Sequence, residues 1–203
     1  MARPSNKEER QGQIVNGLMK AMSKYGYDGA SIQLIAKESE LTAGLIHYHF
    51  KSKEEILLAL VNELSLLISK RVKQISSSNS TAEKKLDGLI DAYLSVGQGA
   101  SSLAVSAWVA ICAEAVKKKE VSKVYSSVLK ERKKLIESTV TEVLKSQSKS
   151  EKNVKKLSAG VVALIEGAFL VASGAPDLMP KGYAADVAKK MIRGFIDNEL
   201  SEK

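Results

Sequence analysis

Residues 31–57 read SIQLIAKESELTAGLIHYHFKSKEEIL, and this stretch decides the fold. Apolar residues recur at helical spacing in two short bursts, Leu34, Ile35 and Ala36, then Leu41, Leu45, Ile46 and Phe50. Ser31 is a good N-cap for a helix over about 31–38, and Thr42 opens another over about 42–48. Two short helices across a tight turn, behind a longer first helix, make a helix-turn-helix. The second short helix then turns Thr42, Ala43, Gly44, His47 and Tyr48 outward. Ala43 and Gly44 let a helix backbone come close to a major groove, and the Ala43 methyl suits a thymine methyl. Thr42, His47 and Tyr48 offer hydrogen bonds to base edges or phosphates. Lys51 and Lys53 follow and can neutralise phosphates.

Outward from this stretch, helical periodicity continues in both directions. A first helix over about 6–24 carries Ile14, Val15, Leu18, Met19 and Met22, and Gly26 stands where a glycine C-cap would. Ser52-Lys53-Glu54-Glu55 has the form of a capping box and opens a fourth helix that runs to about 75. The polar run SSSNST at 76–81 separates it from a fifth over about 82–96, which Gly97 and Gly99 end. Further helices are expected at about 103–115, 119–146, 150–173 and 183–199, with the proline-bearing GAPDLMPKG loop at 174–182. The fold class is therefore all-α, with about nine helices. A helix-turn-helix domain over 1–52 joins a larger helical body over 53–203.

Composition narrows the function. The chain has 203 residues, 31 Lys+Arg against 23 Asp+Glu, a net charge of +8 and only 5% aromatics. A basic chain suits nucleic acid or an anionic surface. Across residues 1–52, Arg3, Lys7, Arg10, Lys20, Lys24, Lys37 and Lys51 face Glu8, Glu9, Asp28, Glu38 and Glu40, a net of only +2. Affinity for DNA is then expected to depend on two domains acting together. One cysteine, Cys112, excludes an internal disulfide and a cysteine-based zinc site. His47 and His49 lie two apart, off any shared helix face, so no metal site is expected. No phosphate loop, GxSxG elbow or dinucleotide fingerprint appears, so neither an enzyme nor a cofactor is expected. The first residues, MARPSNKEERQGQ, hold no apolar core of a signal peptide, and no uncharged apolar run reaches about 18 residues. A cytoplasmic protein with no membrane span is expected.

Residues 10–57 resemble the N-terminal domain of TetR-family transcriptional regulators. The likeness rests on Ile35-Ala36 and on AGLIHYHFKSKEEIL at 43–57: a small residue or Gly, two apolar residues, an aromatic pair, His-Phe, then Lys-x-Lys and an apolar helix. It implies a recognition helix at about 42–48 and, by position, DNA contacts at Ser31, Gln33, Thr42, Ala43, Gly44, His47, Tyr48, His49 and Lys53. One departure stands out: the family commonly has Gly in the turn where this chain has Glu40. A non-glycine residue there has to take an unusual backbone or shift the turn, and it brings negative charge toward DNA.

The body is similar to the ligand-binding domain of the BetI-type subgroup, named for a choline-pathway repressor. The matching runs are AWVAICAEA at 107–115, YSSVLKERKKLI at 125–136 and ALIEGAFLVASGAP at 163–176. Between helices of such a body, Tyr93, Trp108, Ile111, Cys112, Glu114, Tyr125, Glu166 and Phe169 are candidate pocket residues. Aromatic rings with a buried acid would suit a quaternary ammonium ion. Read alone, Trp108, Cys112 and Phe169 serve equally as core. Helices eight and nine look too apolar for a monomer, and Gly160, Ala163, Gly167 and Ala168 give helix eight a small-residue surface. The resemblance implies that these two helices pair about a two-fold axis. The expected protein is a ligand-responsive regulator, a repressor that binds a palindromic double-stranded operator as a homodimer and leaves it when a small-molecule effector binds. The competing reading is a nonspecific basic protein of DNA or membrane surfaces, working through the lysines at 117–119 and 133–134.

Overall fold

The computed structural model describes residues 6–75, 81–95 and 101–198, and within them every regular element is an α-helix. The nine described helices are α1 (Asn6–Gly29), α2 (Ile32–Ser39), α3 (Ala43–His49), α4 (Lys53–Ile75), α5 (Ala82–Leu94), α6 (Ser102–Lys117), α7 (Lys119–Ser146), α8 (Val154–Gly174) and α9 (Tyr183–Asn198). The all-α expectation holds. The serine run at 76–80 and the glycines at 97 and 99 lie outside the described residues.

Two compact units share the chain, and the division differs from a cut at residue 52. One unit takes α1–α3, α4 through Ser65, α6 and the start of α7 through Ser126; the other takes the remainder of α4 and α7 with α5, α8 and α9. The reason lies in α1, which packs against α6 as well as α2 and α3. Ile14, Leu18, Ile35, Ile46, Ile56 and Leu57 form the fully buried centre of this first unit, and Ala107 and Ile111 of α6 are buried with them.

Local chemistry fixes the helix-turn-helix. Ser31 Oγ accepts from Leu34 N at 3.2 Å, Thr42 Oγ1 from Leu45 N at 3.3 Å and Ser52 Oγ from Glu55 N at 3.3 Å, so all three expected caps form. Glu55 closes back onto Lys51 N at 2.8 Å, one residue earlier than a standard capping box. Glu40 ends α2 in the left-handed conformation, φ 57° and ψ 37°, while its backbone N–H caps Lys37 O at 3.2 Å. The turn is thus built as if glycine were there, with an acidic residue held in it. Gly26 is also left-handed in φ, at 67°, but the chain resumes helical turns to Gly29 beyond this kink. Gly17 marks the tightest approach: a Cβ there would lie 2.8 Å from Ile35 O and 2.8 Å from Ser39 Cβ.

In the second unit, Leu89 and Ile90 of α5, Ile136 and Val140 of α7, Ile165 of α8 and Ile192 of α9 are buried. Lys189 pairs with Asp91 at 2.6 Å and Arg193 with Asp87, tying α9 to α5. Two outward faces are left apolar or small. On α8, Gly160, Ala163, Gly167 and Leu170 recur at three and four and are all exposed. On α9, Val187, Met191 and Phe195 recur at four and are exposed, while Ala188, Ile192 and Ile196 fill the opposite, buried side. Helix α8 is long and apolar enough by length and composition to cross a membrane, against expectation, with 28% of the window buried. Lys155 and Lys156 sit together in its first turn, and Glu166 is the one charge in the stretch from Leu157 to Gly174.

Candidate functional site

The outward face of α3 is the site the sequence singles out. Its inner side is held by Ile46, fully buried, and by Phe50 just past its end. Its outer side shows Gly44, His47 and Tyr48, all exposed. Tyr48 is 81% exposed, which no packing requirement accounts for. Nothing lies within 4 Å of the place a Cβ would take on Gly44, so this face is open for a partner to approach the backbone. The Thr42 and Ser31 hydroxyls use oxygen lone pairs for their caps, and the O–H of each remains to donate to a phosphate. Gln33 is exposed on the first turn of α2, while Ala43 is half-buried.

His49 and Lys53 take different positions from the rest. His49 is half-buried, its Nδ1 has no hydrogen-bond partner among the described residues, and its ring meets Tyr48 edge-on at 5.1 Å. It shapes the setting of Tyr48 more than it presents itself. Lys53 Nζ donates to Tyr27 O at 2.9 Å and lies 4.3 Å from the Tyr27 ring centroid. The ammonium of Lys118 lies over the same ring at 4.0 Å. Burial, and then the neighbouring Glu54 carboxylate, push the Tyr27 phenol well above its ordinary range. Lys53 therefore docks the start of α4 onto the end of α1, and exposed Lys51 is the freer cation for a phosphate.

The candidate pocket residues fall into two groups, one in each unit. In the first, the Trp108 and Tyr125 rings lie 5.1 Å apart at a tilt of 35°, Ile111 is fully buried and Cys112 is half-buried. Glu114 is 4% exposed, with Lys118 at 3.3 Å and Lys117 at 3.6 Å. In the second, Tyr93 and Phe169 are each 8% exposed, and Glu166 on α8 accepts a hydrogen bond from Arg132. Arg132 is the residue the sequence reading missed. It sits in the basic run KERKK, which reads as a solvated helix face, yet it is 5% exposed. Its spacing held the signal: Arg132 lies four residues after Val128 and four before Ile136, on the apolar stripe of α7. Gly17 was missed as well, because a close helix approach leaves no trace in local sequence.

Comparison with known proteins agrees with this geometry. Residues 14–60 match the model of the tetR family of bacterial regulatory proteins, and residues 82–200 match that of the C-terminal domain of BetI-type transcriptional repressors. The chain is 24% identical over 201 residues to the HTH-type transcriptional regulator BetI of Vibrio campbellii, covering 96% of this chain and 94% of that one. Among solved structures, a transcriptional regulator from Rhodococcus sp. Rha1 superposes with a TM-score of 0.80 at 16% identity, over 93% of this chain and 96% of that one. A protein from Saccharomonospora viridis solved in complex with choline gives a TM-score of 0.75 at 22% identity, over 94% and 96%.

Proposed function

The chain belongs to the TetR family of bacterial regulatory proteins, with a BetI-type C-terminal domain, and we propose that it represses by binding a palindromic operator as a homodimer. It is a transcriptional regulator; the operator, the pairing helices and the effector are the proposal. The observation that carries DNA reading is the outer face of α3, where an 81%-exposed Tyr48 stands beside an open Gly44. Base edges fall to Tyr48, His47, Ala43 and Thr42, phosphates to Ser31, Gln33 and Lys51, while His49 holds Tyr48 and Lys53 stays on Tyr27. Residues 1–52 supply this reading head, and 53–203 supply pairing and effector response, in the cytoplasm.

Pairing is assigned to α8 and α9, whose exposed small and apolar faces need cover from water. A two-fold axis there presents two copies of α3 to half-sites spaced by about 34–36 Å or more. A small molecule that prefers the DNA-incompetent arrangement releases the dimer. The choline bound in the S. viridis protein supports a small-molecule effector for the shared fold. The test is fluorescence anisotropy on DNA from around the protein's own gene, at two salt concentrations and against a scrambled duplex. Saturable, sequence-dependent binding at two protomers per site is the expected result. Equal binding to both duplexes that collapses with salt means the phosphate term acts alone, and the nonspecific basic reading takes its place.

A further inference from the structure

In the second unit, two aromatic faces and a carboxylate surround a cation. The Arg132 guanidinium carbon lies 4.7 Å from the Tyr93 ring centroid and 5.9 Å from that of Phe169. Glu166, one helical turn before Phe169 on α8, is its ion-pair partner. Rings at cation–π distance with an acid alongside are the groups by which proteins hold quaternary ammonium ions. Here the cation is the chain's own. Burial pushes the Tyr93 phenol up while Arg132 pulls it back, as expected of a ring with a guanidinium against it.

We propose that Arg132 is a tethered guest that fills the Tyr93–Phe169–Glu166 cage and keeps quaternary ammonium ions out of it. The side chain is the specificity element. A free ammonium ion gives up translational freedom on entry, whereas a guanidinium on α7 has already given it up. Entry would also strand a buried guanidinium away from its carboxylate. A quaternary ammonium group is therefore not what holds an effector of this chain at this cage. The inference rests on the reading that the helical body answers to a small molecule, but its test does not depend on DNA.

Calorimetric titration of the full-length protein with tetramethylammonium and with methylguanidinium decides it. Wild type is expected to give no saturable heat with either ion. Arg132→Ala and Arg132→Gln empty the cage of charge and are expected to bind both ions about tenfold or more tightly than wild type. Methylguanidinium is also expected to raise the melting temperature of Arg132→Ala without raising that of wild type. Arg132→Lys, which keeps a cation in place, stays blank. Phe169→Leu combined with Arg132→Gln loses the gained binding. Saturable tetramethylammonium binding by wild type that Phe169→Leu abolishes overturns the proposal, as do folded Ala and Gln variants that gain nothing. Operator anisotropy on the same wild-type sample separates the two ideas. A protein silent on operator DNA whose Arg132 variants gain ammonium binding fails as a regulator and keeps the cage.

Discussion

The outer faces of α3 and α9 are both uncovered, and they are uncovered in opposite ways. On α3 the outward line is Gly44, His47 and Tyr48; on α9 one exposed line is Val187, Met191 and Phe195, with the charges of Asp186, Lys190 and Arg193 exposed beside it. The first set loses little by standing in water, since a glycine, an imidazole and a phenol all tolerate it. The second set is three apolar side chains in one line, which water disfavours. On the proposed reading these faces meet two different partners: a wet, charged groove for α3, and a dry surface of matching shape for α9. Five substitutions can break or sharpen this contrast.

The largest effect is expected on α9. In the proposed dimer, Met191→Glu places a carboxylate on each side of the two-fold axis, where it has no partner. Sedimentation should show the dimer dissociating at least about a hundredfold more readily, following the cost of burying unpaired charge. Operator affinity should fall with it. A Met191→Glu protein that sediments as wild type would remove α9 from the interface.

Two glycines carry the next contrast. Gly17→Ala pushes a methyl into Ile35 O and Ser39 Cβ, so the first unit should lose about 1–3 kcal/mol in denaturant melts. Its DNA binding should fail because the fold does. Gly44→Ala meets nothing within 4 Å and should melt as wild type or slightly higher. Its operator affinity should nonetheless drop, because the added methyl stands between α3 and the groove. Tyr48→Ala should likewise keep stability and cost about 1–3 kcal/mol of specific binding in anisotropy titrations. If Gly44→Ala and Tyr48→Ala bind operator normally, α3 is not the reading helix.

The smallest effect is expected at the turn. Glu40→Gly relieves a left-handed non-glycine residue and should stabilise by roughly 1 kcal/mol. It also removes an exposed negative charge beside α3, so operator binding should tighten a few-fold, most at low salt, where the repulsion is least screened. Unchanged stability would mean that the Glu40 side chain compensates its backbone.

Most of the helical plan was legible in residues near one another in sequence. Periodicity and the Ser31, Thr42 and Ser52 caps set the bounds of α2–α4 to within a residue or two. What escaped depends on contacts between distant residues. Gly26 looked like the end of α1, but helical turns resume behind it to Gly29. Lys53 looked like a phosphate ligand because Lys51-Ser52-Lys53 follows α3; its engagement with Tyr27 spans 26 residues. Arg132 looked solvated because all four of its neighbours in KERKK are charged, and only the stripe of α7 tells otherwise. The residues of α3 were readable because their chemistry faces outward. The aromatic, acidic and basic residues of the body were readable as types, but their sorting into two units was not.

In the proposed dimer, the uncovered line along α8 would tie the regulator to its own abundance. If that line is sealed only by a second copy, folding free energy is linked by mass action to the number of chains present. A cell holding few copies would keep a fraction of them as lone protomers with a near-membrane-grade helix in view of proteases and chaperones. Scarcity would then lower the repressor twice, by count and by survival, and the controlled promoter would respond to its supply more steeply than in proportion.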